Sequence, residues 1–258
     1  MKPNSSRIPV ILIGILAVAL AVGLFMMRDG LNERYLSEGE LNLPPAPASN
    51  SGVPSADVHR EKVVIIGDSF TGGSGEGGTG DKGWPALTGR RLTDEGFAVD
   101  VRMSGEGGSG YVAQGPSRTT FGAAAARLVE PDDTAVIYFG SINDSESAQN
   151  REDDLQAAVS QTIQATRKTA PNARIVIVGP PLNPLEPADQ QQVKFAVRDI
   201  LKEQARLAGL AFVDPIQDGW FADRPDLFGG VHPNGEGHVY LADKFTPLIA
   251  DLLEHSNT

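Results

Sequence analysis

From Lys62 onward the chain sets five short, mainly apolar runs between longer amphipathic ones. The apolar runs are KVVIIG, FAVDVRM, TAVIYFG, ARIVIVG and LAFVD, and between them stand WPALTGRRLTDEG, TTFGAAAARLVE, DDLQAAVSQTIQATRKT and ADQQQVKFAVRDILKEQARLAG. A strand that is apolar along its whole length is buried on both faces, and parallel neighbours need a crossover, usually a helix, between them. The alternation therefore predicts an α/β domain whose parallel sheet is covered by helices on both sides. In such sheets ligands bind beyond the carboxyl ends of the strands, so the loops directly after each strand are where chemistry is to be sought.

The first of those loops, GDSFTGGSGEGGTGDKGWP, admits two readings. A phosphate-binding loop needs G-x-x-x-x-G-K-[ST], with a lysine on the phosphates and a hydroxyl on magnesium. The nearest register runs from Gly75 to Gly80 and is followed by Asp81 and Lys82, which sets a carboxylate against the phosphate and supplies no hydroxyl. The second reading is a nucleophile. Ser69 stands at the abrupt end of a buried strand, where a hydroxyl is exposed and nearby backbone N–H groups can face a developing oxyanion. On this reading Gly67 to Ser69 sets the nucleophile, and Gly72 to Gly83 is a mobile flap or a substrate-facing rim.

The later loops carry matching groups. MSGEGGSGY follows the second apolar run, with glycines that let a backbone N–H approach a ligand closely. GSINDS follows the third, and there Asn143 offers a side-chain amide while Gly140 clears space. GGVHPNGEGH places His232 just ahead of the last helical segment; it is one of four histidines in the chain. There are no cysteines, which removes disulfides, thiolate nucleophiles and cysteine-based zinc sites.

GDS, the glycine block, GSIND and VHPN resemble the four sequence blocks of the SGNH (GDSL-type) hydrolases, in order, from Lys62 to about Glu254. The resemblance implies a three-layer α/β/α fold of flavodoxin-like type with a five-stranded parallel sheet, and ester hydrolysis with no cofactor and no metal. It assigns Ser69 as nucleophile and His232 as base, with an oxyanion hole formed by the N–H of Ser69, the N–H of Gly108 and the amide of Asn143. Gly105 and Gly107 are alternates to Gly108, because Met103 stands where family members often have an asparagine. The family's Asp-x-x-His pattern is broken, since Gly229 occupies the acid position. Three outcomes are open: Asp226 reaches His232 through a bend at Gly229 and Gly230, a backbone carbonyl orients the ring, or catalysis is crippled. The last would leave a ligand- or carbohydrate-binding module, and a membrane-tethered scaffold for other envelope proteins is a further alternative. Trp84, Tyr111, Trp220 and Phe221 are candidates to line an acyl pocket.

Upstream, Ile8 to Met27 is a continuous apolar run of 20 residues flanked by Lys2, Arg7 and Arg28. That is the length needed to cross a bilayer core, and basic residues before it place the N-terminus in the cytoplasm. The expected organisation is a cytoplasmic start and transmembrane anchor over residues 1–28, a Pro/Ala/Ser-rich linker over 29–61, and the hydrolase-like domain over 62–258. Secretion after cleavage of a signal peptide is the alternative placement. The whole chain carries a formal charge of −11, and the part beyond the anchor is more acidic still. Such a surface is unsuited to the phosphate backbone, so the expected partner is a small-molecule, glycan or lipid ester and not nucleic acid.

Overall fold

The computed structural model describes residues 60–254. The expected membrane segment and most of the linker lie outside them. Among the described residues no helix is long and apolar enough to cross a membrane.

Five parallel strands form one sheet: β1 (Glu61–Gly67), β2 (Val99–Gly105), β3 (Ala135–Phe139), β4 (Arg174–Val178) and β5 (Ala211–Val213), in the order β2-β1-β3-β4-β5. Val63 lies opposite Val101 on one side and Ala135 on the other, so β1 is central and paired along its length. Every residue from Val63 to Ile66 is fully buried, because alternate side chains feed opposite cores. Val63 and Ile65 join Ile137, Val176, Leu241 and Phe245 on one face, while Val64 and Ile66 join Val136, Ile177, Leu155 and Val197 on the other. The two edge strands depart from the expected burial: in β2 only Val99 is buried, with Asp100 and Met103 exposed, and in β5 Ala211 is exposed while Phe212 and Val213 are half-buried.

The helices follow the amphipathic segments. α1 (Ser69–Gly72) is a single turn after β1, and α2 (Trp84–Asp94) starts at a Trp-Pro pair, where proline's missing N–H costs nothing. α3 (Phe121–Leu128) is capped by the Thr120 hydroxyl, which accepts the Ala123 N–H at 3.2 Å. α4 (Ser145–Asn150) leads into α5 (Glu152–Thr169), with three acids in its first turn and Arg167 and Lys168 in its last, matching the helix dipole at both ends. α6 (Ala188–Ala208) and α7 (Gly235–Glu254) complete the set. Helices α2 and α7 pack on one face of the sheet and α3, α5 and α6 on the other, giving three layers.

The strand order reverses direction between β1 and β3. At such a switch point the two following loops part in opposite directions and leave a crevice at the carboxyl edge. Ser69 follows β1 and Asn143 follows β3, so the two stand on either side of that crevice.

Candidate active site

The turn after β1 is held by Asp68. One carboxylate oxygen accepts the Phe70 N–H at 2.9 Å, capping α1, and the other accepts the Ser141 N–H at 3.2 Å from the loop after β3. Asp68 is fully buried, and burial pushes its carboxyl up to about 6 against the opposing pull of those two N–H groups and of His232. Ser69 is the first residue of α1 and is half-buried. First-turn N–H groups have no partner within their helix, so the Ser69 amide is available to an anion.

The loop after β2 turns sharply at Glu106–Ser109. The Ser109 N–H donates to the Glu106 carbonyl at 3.1 Å, and Gly108 sits in this turn at a φ of 79°, which a residue with a side chain adopts only under strain. A Cβ on Gly107 would lie 3.7 Å from the Cβ of Ser69, so the exposed tip of this loop abuts the serine. Asn143, exposed in the turn Ile142–Asp144, donates one amide hydrogen to the Ser109 carbonyl at 2.8 Å. Its second amide hydrogen is thereby aimed without being used in that bond. Gly107 is thus set against Ser69, and Asn143 is tied to the same loop through Ser109.

Asp144 supports this arrangement from beneath and was not distinguishable in the sequence from an ordinary turn residue. Fully buried, it accepts the N–H groups of Tyr111, Val112 and Ala113 at 2.6, 3.0 and 2.7 Å and the Ser141 hydroxyl at 2.6 Å. One carboxylate therefore binds the loop after β2 to the loop after β3.

His232 lies beside this cluster, its ring centroid 6.2 Å from that of Phe70, the residue after Ser69. Asn183, buried in the loop after β4, donates to the Gly230 carbonyl at 2.8 Å and steadies the segment leading to the histidine. The expectation for Asp226 is not met. Its carboxylate is 55% exposed and is taken by Arg224 in a two-pronged contact at 3.0 and 2.8 Å. The acid against His232 is Glu76, from the glycine-rich loop: Oε2 accepts the His232 N–H at 2.9 Å and Oε1 faces Nδ1 at 3.4 Å. Burial alone would raise the Glu76 carboxyl, yet the contacts with His232 and the Val231 N–H hold it below its usual range. No motif marks this pairing, which joins residues 156 apart in the chain.

The glycine-rich loop, expected to be a mobile flap or a substrate-facing rim, is bonded within itself and packed on the loop bearing His232. Ser74 and Gly77 pair as a tight hairpin with N···O distances of 2.8 and 3.2 Å, and the Glu76 N–H donates to the Ser74 hydroxyl at 3.1 Å. A Cβ on Gly77 would come within 2.6 Å of the Asn234 backbone, so main chain packs on main chain between this loop and the one bearing His232. The Trp84 N–H donates to Nδ1 of the buried His238 at 3.4 Å, closing the far end of the loop onto α7. The four aromatic candidates for an acyl pocket are core residues: Trp84, Tyr111, Trp220 and Phe221 are all buried, with Trp84 stacked on Phe245 at 3.8 Å.

Compared with known proteins, residues 65–240 match the GDSL-like Lipase/Acylhydrolase family. A GDSL lipase of Mycobacterium tuberculosis (strain ATCC 25618 / H37Rv), Rv0518, is 42% identical over 196 residues, covering 75% of this chain and 84% of the relative. Among solved structures, TesA superposes with a TM-score of 0.60 at 22% identity, over 74% of this chain and 99% of the other. A putative arylesterase from Agrobacterium tumefaciens str. C58 gives 0.57 at 17% identity, over 74% and 99%. At those identities the two structures speak for the fold alone.

Proposed function

The chain belongs to the GDSL-like lipase/acylhydrolase family and is a carboxylic ester hydrolase, and from that premise we propose that it works by acyl transfer through Ser69 with His232 as the base. In the first step His232 takes the Ser69 proton through the ring nitrogen not facing Glu76, and Oγ bonds to the ester carbonyl carbon. The carbonyl electrons move onto oxygen, where the N–H groups of Ser69 and Gly108 and the amide of Asn143 receive the charge. A preorganised donor of this kind is typically worth about 3–4 kcal/mol. The carbon–oxygen bond to the alcohol then breaks, His232 protonates the departing oxygen, and the acyl group stays on Ser69. Water, deprotonated by the same histidine, attacks this ester, and the acid leaves as Ser69 recovers its proton.

The observation that carries this reading is the direct joining of three loops at the carboxyl edge, with Gly107 against Ser69 and Asn143 bonded to Ser109. Hydrolysis of short p-nitrophenyl esters by the wild-type protein and by Ser69→Ala tests it. The variant should keep its melting temperature and lose turnover by at least about 10⁴-fold; unchanged turnover would sink the assignment. A non-catalytic binding module, by contrast, would show retained ligand binding and no wild-type turnover.

The substrate reading is an ester with a small acyl group on a lipid or glycan, presented outside the cytoplasm. The small acyl group follows from the family resemblance, and the placement outside the cytoplasm from the run Ile8 to Met27, read as an uncleaved membrane anchor. Fractionation of cells expressing the full chain should leave it in membranes after alkaline carbonate washing. Recovery of a shortened protein from the medium would instead indicate a cleaved signal.

A further inference from the structure

We propose that Glu76 is the positioning acid of the catalytic histidine, supplied by the nucleophile's own loop in place of the family's acid three residues before His232. The proposal rests on the reading of Ser69 and His232 as nucleophile and base. Its grounds are steric and geometric. Glu76 meets His232 with both carboxylate oxygens, one on the backbone N–H and one on Nδ1. The pair is 28% exposed on each side, enough shelter for the contact to hold the ring while its other face remains open. Position 229 lacks a side chain for a reason: a Cβ there would lie 2.9 Å from the Glu76 Cβ and 3.0 Å from Oε2. An aspartate at 229 and a glutamate at 76 therefore exclude one another, and Gly229 is the gap that admits Glu76. Asp226, the nearest upstream acid, is occupied by Arg224.

The role follows from tautomer chemistry. A carboxylate accepts from the backbone N–H and from Nδ1–H at once, which leaves the other ring nitrogen unprotonated and able to take the serine proton. Glutamine has the same shape but one acceptor. If its oxygen keeps the His232 N–H, its NH₂ group donates to Nδ1 and forces the proton onto the nitrogen that should act as base. When the histidine reaches its charged state during turnover, the carboxylate also stabilises it.

Four variants measured beside Ser69→Ala decide the matter: Glu76→Gln, Glu76→Gly, Gly229→Asp and the exchange that combines the last two. Glu76→Gln should fold with the parental melting temperature and keep KM while kcat falls by about 10²–10⁴-fold. Gly229→Asp alone should lose both stability and turnover, because the new side chain collides with Glu76. The exchange Glu76→Gly with Gly229→Asp removes that collision and restores the family arrangement, and it should turn over at least tenfold faster than Glu76→Gly. A Glu76→Gln protein with kcat within about threefold of wild type, where Ser69→Ala is dead, overturns the proposal but not the hydrolase reading. A folded exchange variant no faster than Glu76→Gly also overturns it. Undiminished turnover in Ser69→Ala would instead strike the reading on which the proposal stands.

Discussion

Asp68, next to Ser69, and His238, near His232, are both fully buried, and they respond to pH in opposite senses. Burial raises the Asp68 carboxyl from an ordinary 3.8 to about 6, so the folded state holds this proton more tightly than the unfolded chain. Its contribution is therefore lost as pH rises from about 4 to about 6, by about 3 kcal/mol in all. Burial, aided by the nearby His232, lowers His238 from 6.5 to about 4. There the unfolded chain binds the proton first, and stability is lost as pH falls through the same interval, again by about 3 kcal/mol. The two slopes offset each other in the wild-type protein. Urea midpoints from pH 4 to 7 should show Asp68→Asn to be more acid-sensitive than wild type and His238→Leu to gain relative stability as pH falls. Parallel pH curves for all three proteins would refute the account. That Ser69, Asn143 and His232 lie near one another at the strand ends was legible in the sequence because each is a chemically distinctive residue in a short, turn-rich segment. Asp68, Asp144 and Glu76 were not: a buried carboxylate that accepts backbone N–H groups is written in the same letter as one that merely starts a turn, and its partners lie on other loops.

At the level of elements, the site is three strand-end loops bound to one another, and Asp144 is the tie between two of them. An asparagine in its place keeps the shape but turns one acceptor into a donor, set either against the Tyr111 N–H and Ser141 hydroxyl or against the Val112 and Ala113 N–H groups. Leaving buried groups unpaired costs about 1–3 kcal/mol each. Asp144→Asn should therefore lose about 2–4 kcal/mol of stability. Asn143, the proposed oxyanion donor, adjoins the mutated residue and is bonded to Ser109, so turnover should fall by about 10–100-fold if that role holds. Thermal unfolding and ester turnover on the same preparation check this; a stable variant with full activity would show that the two loops hold without the tie. The elements themselves were readable, with β1, β3, β4, α5 and α6 falling within a residue or two of their apolar runs and helical patterns. What periodicity could not convey was the fate of the glycine-rich loop. Glycine signals freedom in isolation, yet here it lets backbone approach backbone, and the loop becomes a packed hairpin that delivers Glu76.

For the domain as a whole, the order β2-β1-β3-β4-β5 explains why residues from the first and third crossings and from the chain's last loop meet at one edge. Alternation of apolar and amphipathic runs was sufficient to anticipate a parallel sheet covered on both sides. The departure from the family's acid position was visible as well, but not which acid meets His232, because Glu76 lies 156 residues away in the chain. The central claim is that Ser69 becomes the covalent carrier of the acyl group. Labelling the purified protein with a fluorophosphonate and mapping the adduct by peptide mass spectrometry tests it at the reacting atom. One phosphonyl group per chain on the peptide containing Ser69, absent in Ser69→Ala and slowed in a His232→Ala variant, is the predicted result. An adduct on another residue, or labelling that persists in Ser69→Ala, would contradict it.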